Sequence, residues 1–507
     1  MVRIGLVALA AGLLSVSACA QTRIAPDGPS TRALTEARIP DALALYRDFL
    51  RLPNDAQHPE DLGPVLDWLE VEFAKRGFTV RRLETEGLPL LLAERPAPGA
   101  SKTALIYLQT DGQPVDPAAW DQASPWEPQL KTAQGEPLAW SNLRDRIDPD
   151  WRIYARSAAD SKGPIVQFLA AIDAIDDGRV APGAHFKVVV DAEEELGSPN
   201  LPSAVKRHRE ALAADFLWIF DGPPHASNAP TLKFGARGIA TLTLTVFGPK
   251  TAQHSGHYGN FVPNPAERLA RALASLQDDD GKVTIPGFYD GVTIDAEAQA
   301  VLDATPDDEA AILAAMGVAA PEAVAPSLQA AIQYPSLNVR GLKAAWVGPE
   351  ARTVIPDRAV AELDLRLVQE SDPERLVGLI RAHIASLGYH LVEDEPTDAD
   401  RARHPKLARL DARIAYPAFR TDFDSLPGQV GVAALTRLNG EAPIRIRTSG
   451  GSVPISPFVN TLGIPAVGVP TVNIDNNQHS PNENIRLGSF IDGIATLTAV
   501  LTQPIPE

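Results

Sequence analysis

The sequence predicts an α/β fold: a mixed, largely parallel sheet flanked by helices, interrupted by an inserted α+β domain. Three observations carry this. Apolar runs of strand length, within 103–111, 185–191 and 215–221, alternate with helical spacing such as Ile165, Phe168, Leu169, Ile172 and Ile175. That alternation implies a parallel sheet covered by helices. Near Gly238 the pattern changes, and GIATLTLTVFG and RAVAELDLRLV alternate apolar and polar residues, the mark of a sheet with one wet face. From about residue 399 the α/β pattern returns. The expected layout is an export segment at 1–20, a tether at 21–36, the α/β domain at 37–237 and 399–507, and the insert at 238–398.

A chain of 507 residues supports two or more domains with a substantial core. The formal charge of -18 argues against a nucleic-acid partner. Arg3 followed by IGLVALAAGLL has the form of an export signal, and the run is too short to span a bilayer as a mature helix. Val16-Ser17-Ala18-Cys19 resembles a bacterial lipobox; the alternative is ordinary cleavage after Ala20. Cys19 is the only cysteine, so there is no intrachain disulfide and no thiolate metal site. The expectation is an exported, periplasmic protein, with membrane contact only through a lipid on Cys19.

Taken in order, PDALALYRDFLRL and PEDLGPVLDWLEVEFAKRGF have helical spacing, and residues 21–36 lack a clear period. TALIYLQTD is a strand ending in polar residues, followed by a Pro-rich loop. Pro164 suits the first turn of the next helix, so Asp160 and Ser161 precede a helix N-terminus, where the macrodipole favours an anion. HFKVVVDAEEE is a strand running into Glu193, Glu194 and Glu195; three adjacent carboxylates repel unless cations or protons intervene, although a solvated turn is the ordinary explanation. DFLWIFDGP ends at Asp221. In the insert, NPAERLARALASL is an amphipathic helix with Asn264 as N-cap and Glu267 at the capping-box position. Residues 279–335 are an elaboration with short helices, Arg366 shares the polar strand face with Glu362 and Asp364, and DPERLVGLIRAHIASLGY is a second amphipathic helix. Beyond 399 come a helix, the Gly-rich IRIRTSGGSVPI, the buried strand GIPAVGVPTVN, and the polar loop NNQHSPNENIRL with His479.

Open α/β sheets build their sites at the C-terminal ends of strands. Gln109, Asp111, Glu194, Glu195 and Asp221 all fall at such ends. A lone loop histidine is usually a surface residue, but His479 also follows a buried strand. Carboxylates with imidazole, one carboxylate bridging, are the inventory that two hard-to-borderline cations need.

At this point a resemblance becomes specific. TDGQPVDPAAW, ARSAADSKGP, EEELGSPNL, FGARGI, QHSGHYGN, RTVIP, LRLV, TSGGSVPI and HSPNEN follow one another in the order found in the aminoacylase–carboxypeptidase G–carnosinase family of dinuclear metallopeptidases. The chain is similar in particular to the carnosinase-type dipeptidases, over nearly all of its length after residue 36. The resemblance implies a zinc-exopeptidase-like catalytic domain, a lid and dimerisation insert, and a homodimer. It implies two divalent ions, Zn²⁺ first and Mn²⁺ as an alternative. Asp160 would bridge them, Glu195 and His479 complete one position, and Asp221 serve the other. Glu194 would be the general base, and Asp111 would orient the first-motif ligand. His254 and Thr353 would reach into a partner subunit's site, while Arg366 and Ser452 hold the substrate's carboxylate end.

The chain departs from that pattern where the family has His-x-Asp and it has Gln109-Thr110-Asp111. A neutral amide oxygen is a poor zinc ligand, which weakens the second position. Gln109 is expected to offer its Oε1 to metal and its NH₂ to Asp111. Ser161 replaces the family's second Asp in the helix-start motif. The function implied is metal-dependent hydrolysis of a short peptide, with deacylation of N-acyl amino acids or another amide as an alternative. The third reading is a metal-poor, non-catalytic peptide-binding lipoprotein.

Overall fold

The computed structural model describes residues 25–506; the export segment and Cys19 lie outside the described residues. An eight-stranded sheet organises the larger domain, in the order Thr79–Leu83, Leu90–Arg95, His185–Asp191, Thr103–Gln109, Phe216–Ile219, Ala466–Gly468, Thr231–Lys233 and Ile444–Ile446. The four central strands run parallel, and antiparallel pairs at both flanks make the sheet mixed. Parallel strands have both faces covered. One face packs on the helices Ile39–Leu50, Pro59–Lys75, Lys162–Asp177 and Leu487–Thr502, the other on Leu201–Arg207 and Ser456–Leu462. Lys162–Asp177 is buried on nearly all sides, as its apolar composition requires.

The insert holds a five-stranded sheet ordered Ser336–Lys343, Arg358–Leu367, Gly238–Phe247, Leu407–Tyr416 and His390–Leu391. Arg358–Leu367 alternates between half-buried and buried residues along its length. Its buried face packs against the helices Pro265–Ala274 and Pro373–Ser386. The boundary expected at 398 is too early. Leu407–Tyr416 pairs with Gly238–Phe247 over nearly its whole length, so the insert continues through Tyr416.

The tether expected at 21–36 is also corrected. Gly28–Glu36 is a helix, capped by the Asp27 carboxylate accepting from the Ser30 amide at 2.9 Å. It buries Thr31 and Thr35 completely or nearly so. Arg32 donates to Asp492 at 2.6 Å and to Asn439 at 2.9 Å, joining the closing helix to Leu426–Asn439. It packs through threonine and arginine rather than a large apolar stripe, which is why no hydrophobic period marks it. A chain beginning at Arg38 should therefore lose about 1–3 kcal/mol of unfolding free energy relative to one beginning at Ile24, measured by denaturant titration. A mere tether predicts equal midpoints.

Candidate metal centre

The centre lies at the C-terminal edge of the parallel strands. The register that sets Gln109 opposite Asp191 brings the end of one strand beside the acidic turn that follows the next. That turn, Glu194–Leu196, is one turn of 3₁₀ helix closed by Gly197 at φ 78°, a conformation glycine adopts without cost. Asp160 stands just before the helix Lys162–Asp177, Asp221 just after Phe216–Ile219, and His479 on the loop between Ala466–Gly468 and Asn484–Arg486.

Donor atoms of Asp160, Glu195 and His479 lie within 4.8 Å of one another. His479 Nε2 is 3.0 Å from Asp160 Oδ2 and 3.5 Å from Glu195 Oε2. Glu195 Oε1 is buried with no hydrogen-bond partner, and Gln113 steadies Oε2 at 2.7 Å. One imidazole and two carboxylates, one with a free buried lone pair, fit a borderline divalent ion. The electrostatics ask for the same thing. Burial, then Asp160, push Glu195 up to about 8. Burial, then Asp160, push Asp221 up to about 6. Burial with Asp221, Asp160 and Glu195 lifts Glu194 well above the ordinary carboxylate range. The Asp160 hydrogen bond raises His479 to about 9. A cation relieves all of these carboxylates at once.

Gln109 is placed differently from expectation. Its Nε2 donates to Asp160 Oδ1 at 2.7 Å, not to Asp111, and its Oε1 is buried without a partner. Asp111 instead accepts from the backbone amides of Glu194 at 3.1 Å and Glu195 at 2.9 Å. Those amides open the acidic turn and have no helical acceptor, so the fully buried carboxylate serves them. Burial, then Asp191, raise Asp111 to about 8. Asp111 thus positions the turn that carries both glutamates.

Gln109, Asp160, Glu194, Asp221, Arg366, Ser452 and His479 line one cavity of about 450 Å³, within the size range of small-molecule sites. Arg366 donates to Ser452 Oγ at 2.8 Å and pairs with Asp364 at 3.1 Å, combining the ligand-facing position with the strand-face ion pair. His254 and Thr353 are exposed, on or beside the small pairing of Gln253–His254 with Val354–Ile355, and do not line this cavity.

Ser161, noted in the sequence only as a departure, joins the site, and three further residues escaped the sequence reading: Lys233, Gln113 and Glu483. Ser161 Oγ lies 2.9 Å from Asp160 Oδ1 and 3.1 Å from Asp221 Oδ1, and Lys233 lines the cavity. Gln113 supports Glu195. Glu483 accepts from Arg156 at 2.8 Å and from the amides of Ser157, Ala159 and Asp160 at 2.8–2.9 Å, an arrangement that requires the carboxylate form. Only its place in HSPNEN, among residues already tied to the site, signalled it.

Glu483 and Arg156 are almost completely buried, so removing one strands the other's charge. Glu483→Ala should cost about 3–5 kcal/mol and weaken metal affinity about 10–100-fold. Urea unfolding and competition with a chelating dye measure the two effects, and an unchanged affinity would dissociate Glu483 from the centre. Asp475 gives a pH test. Burial tends to raise its carboxyl, but hydrogen bonds from Arg486, Arg152 and Asn473 outweigh this and hold it well below the usual range. Its stabilisation is present above the ordinary value near 4 and lost as pH falls through the lower folded value. With Asp475 41% exposed, Asp475→Asn should cost about 1 kcal/mol at neutral pH, shrinking towards pH 3.

Residues 234–391 match the family model of a peptidase dimerisation domain, of M20 type. The Cys-Gly metallodipeptidase of Schizosaccharomyces pombe is 25% identical over 437 residues, 84% of this chain and 85% of that protein. The human Beta-Ala-His dipeptidase is 24% identical over 424 residues, 81% of this chain and 76% of its own length. Among solved structures, an M20 family metallo-carboxypeptidase from Sulfolobus solfataricus superposes with a TM-score of 0.75 at 27% identity, covering 91% of this chain and 98% of that one. The matched dimerisation domain, the alignment over more than four-fifths of the chain and the shared fold make the chain similar to the M20 metallopeptidases, enzymes that hydrolyse peptide bonds.

Proposed function

We propose that this chain is a metal-dependent hydrolase of short peptides, most closely a dipeptidase or carboxypeptidase that releases an amino acid. The observation that carries this is the convergence of Asp160, Glu195 and His479 beside Glu194, in a cavity that also presents Arg366. These three residues would hold a divalent ion, Zn²⁺ or alternatively Mn²⁺, which would supply Lewis acidity. Glu194, desolvated among carboxylates, accepts the proton from the attacking water and returns it to the leaving amine. Asp111 holds Glu194 in place through the turn amides. Arg366, braced by Ser452, binds the substrate's terminal carboxylate. Water adds across the amide bond, yielding a carboxylate and a free amino group.

The active unit is a homodimer, supported by the dimerisation domain. In it, the exposed His254 and Thr353 reach the site of the other subunit, where His254 stabilises the tetrahedral oxyanion. Export, and lipidation of Cys19, rest on residues 3–19 alone; mass spectrometry of the mature N-terminus tests them, and an unmodified Gln21 terminus contradicts the anchor.

Amino-acid release from a dipeptide panel, by the chain lacking its first twenty residues, tests the reaction. Glu194→Gln should lower kcat about 10²–10⁴-fold with metal content unchanged. A folded, metal-loaded protein that releases nothing from any dipeptide sinks the dipeptidase reading and directs the search to N-acyl and other amides. Mixing and re-forming dimers of Glu194→Gln and His254→Ala should restore activity, because one composite site then carries neither substitution. No recovery despite exchange of subunits contradicts the shared site.

A further inference from the structure

The side chains around Asp221 offer a second divalent ion a poor ligand set, in which the unpartnered oxygen of Gln109 is a neutral amide rather than an imidazole. Where the family's first motif has imidazole, this chain has Gln109, and the group aimed at Asp160 Oδ1 is its NH₂, 2.7 Å away. Ser161 Oγ stands 2.9 Å from the same oxygen. The face of Asp160 that a second ion would take is thus lined with proton donors. Its other oxygen, Oδ2, lies with His479 and Glu195 on the three-donor side.

Lys233 supplies a further contrast. It ends the strand Thr231–Lys233 and lines the cavity with Asp221 and Gly222. Its Nζ lies so near that a Cβ on Gly222 would sit 3.3 Å from it. Burial lowers the pKa of its ammonium, and the Asp221 charge opposes that loss. Among the described residues, Asp160, Glu195 and His479 are the only such cluster of three acidic or histidine donors. An ammonium beside Gly222, in the same cavity wall as Asp221, repels a divalent ion placed there, and does so strongly in a desolvated site.

We propose that the centre binds one divalent ion per protomer, at Asp160, Glu195 and His479, and that the Lys233 ammonium takes the electrostatic place of a second ion beside Asp221. This rests on the metallohydrolase reading above. Gln109 and Ser161 hold the second face of Asp160 by hydrogen bonds, and Lys233 balances Asp221. The chain thereby keeps the carboxylate frame of a two-cation site while filling one place with the charge of one of its own side chains.

The test is metal stoichiometry. The protein and its variants are equilibrated with excess Zn²⁺, desalted and measured by elemental analysis, with Co²⁺ absorption titrations in parallel. The wild type should retain about one ion per protomer, and Gln109→His alone should stay near one, because the ammonium remains. Gln109→His with Lys233→Met should approach two, and Gln109→His with Lys233→Arg, which keeps the charge, should stay near one. Two tightly held ions in the wild type overturn the proposal. So does Gln109→His alone reaching two, which assigns the deficit to the missing imidazole. A folded Gln109→His, Lys233→Met protein that stays at one also overturns it. No retained metal in the folded wild type overturns the metallohydrolase reading, and this inference with it.

Discussion

One buried carboxylate holds the centre together. Glu483 takes a guanidinium and three backbone amides from the segment 156–160, and it sits four residues after His479. Two loops more than 300 residues apart in sequence thus share one acceptor, and each brings a ligand. Pairing of Asn484–Arg486 with Arg152–Tyr154 fixes the same two segments a few residues further on. An ion buried this deeply stabilises only when its partners are complete, and here the partners are the backbone that presents Asp160. The distance between Asp160 and His479 is therefore a property of the Glu483 cradle more than of either ligand.

The rest of the site divides between rigid and adaptable supports. Strand ends in a parallel sheet leave Asp191, Asp221 and the acidic turn little freedom, and burial of the strands behind them is nearly complete. Arg366 comes from the insert, yet it meets Ser452 of the larger domain. Ser452 in turn reaches the Gly238 carbonyl where the insert begins, at 3.3 Å. The cavity is thus lined across a contact between the two domains, and the position of Arg366 in it depends on how the insert is seated.

Much of this was legible because it follows from patterns with short range. Apolar runs that end in acidic residues marked the strand ends, and the change from helical spacing to two-residue alternation marked the insert. The missed features have longer reach or weaker periodicity. Gly28–Glu36 packs through Thr31, Thr35 and Arg32, which no hydrophobic period reveals. Leu407–Tyr416 belongs to a sheet whose neighbouring strand in it begins at Gly238, more than 150 residues earlier, so the insert was closed too soon. Gln109 was recognised as a departure, but the direction of its amide depends on Asp160, whose approach no local spacing specifies. Lys233 and Glu483 acquire meaning only once the loops have met.

The turn held by Asp111 has a bearing on how such a site can change over time. The proposed base and ligand are adjacent residues there, Glu194 and Glu195, and their own amides are the groups that Asp111 fixes. An insertion or deletion in this turn displaces both glutamates in a single event. Gln109 and the Arg366–Ser452 clasp come from segments outside that turn and can be exchanged without moving it, whereas Lys233 and Asp221 change together if their charges are to stay balanced. Change at the margins of the centre therefore has routes that leave the acidic turn intact, while a change of length in the turn moves both glutamates together.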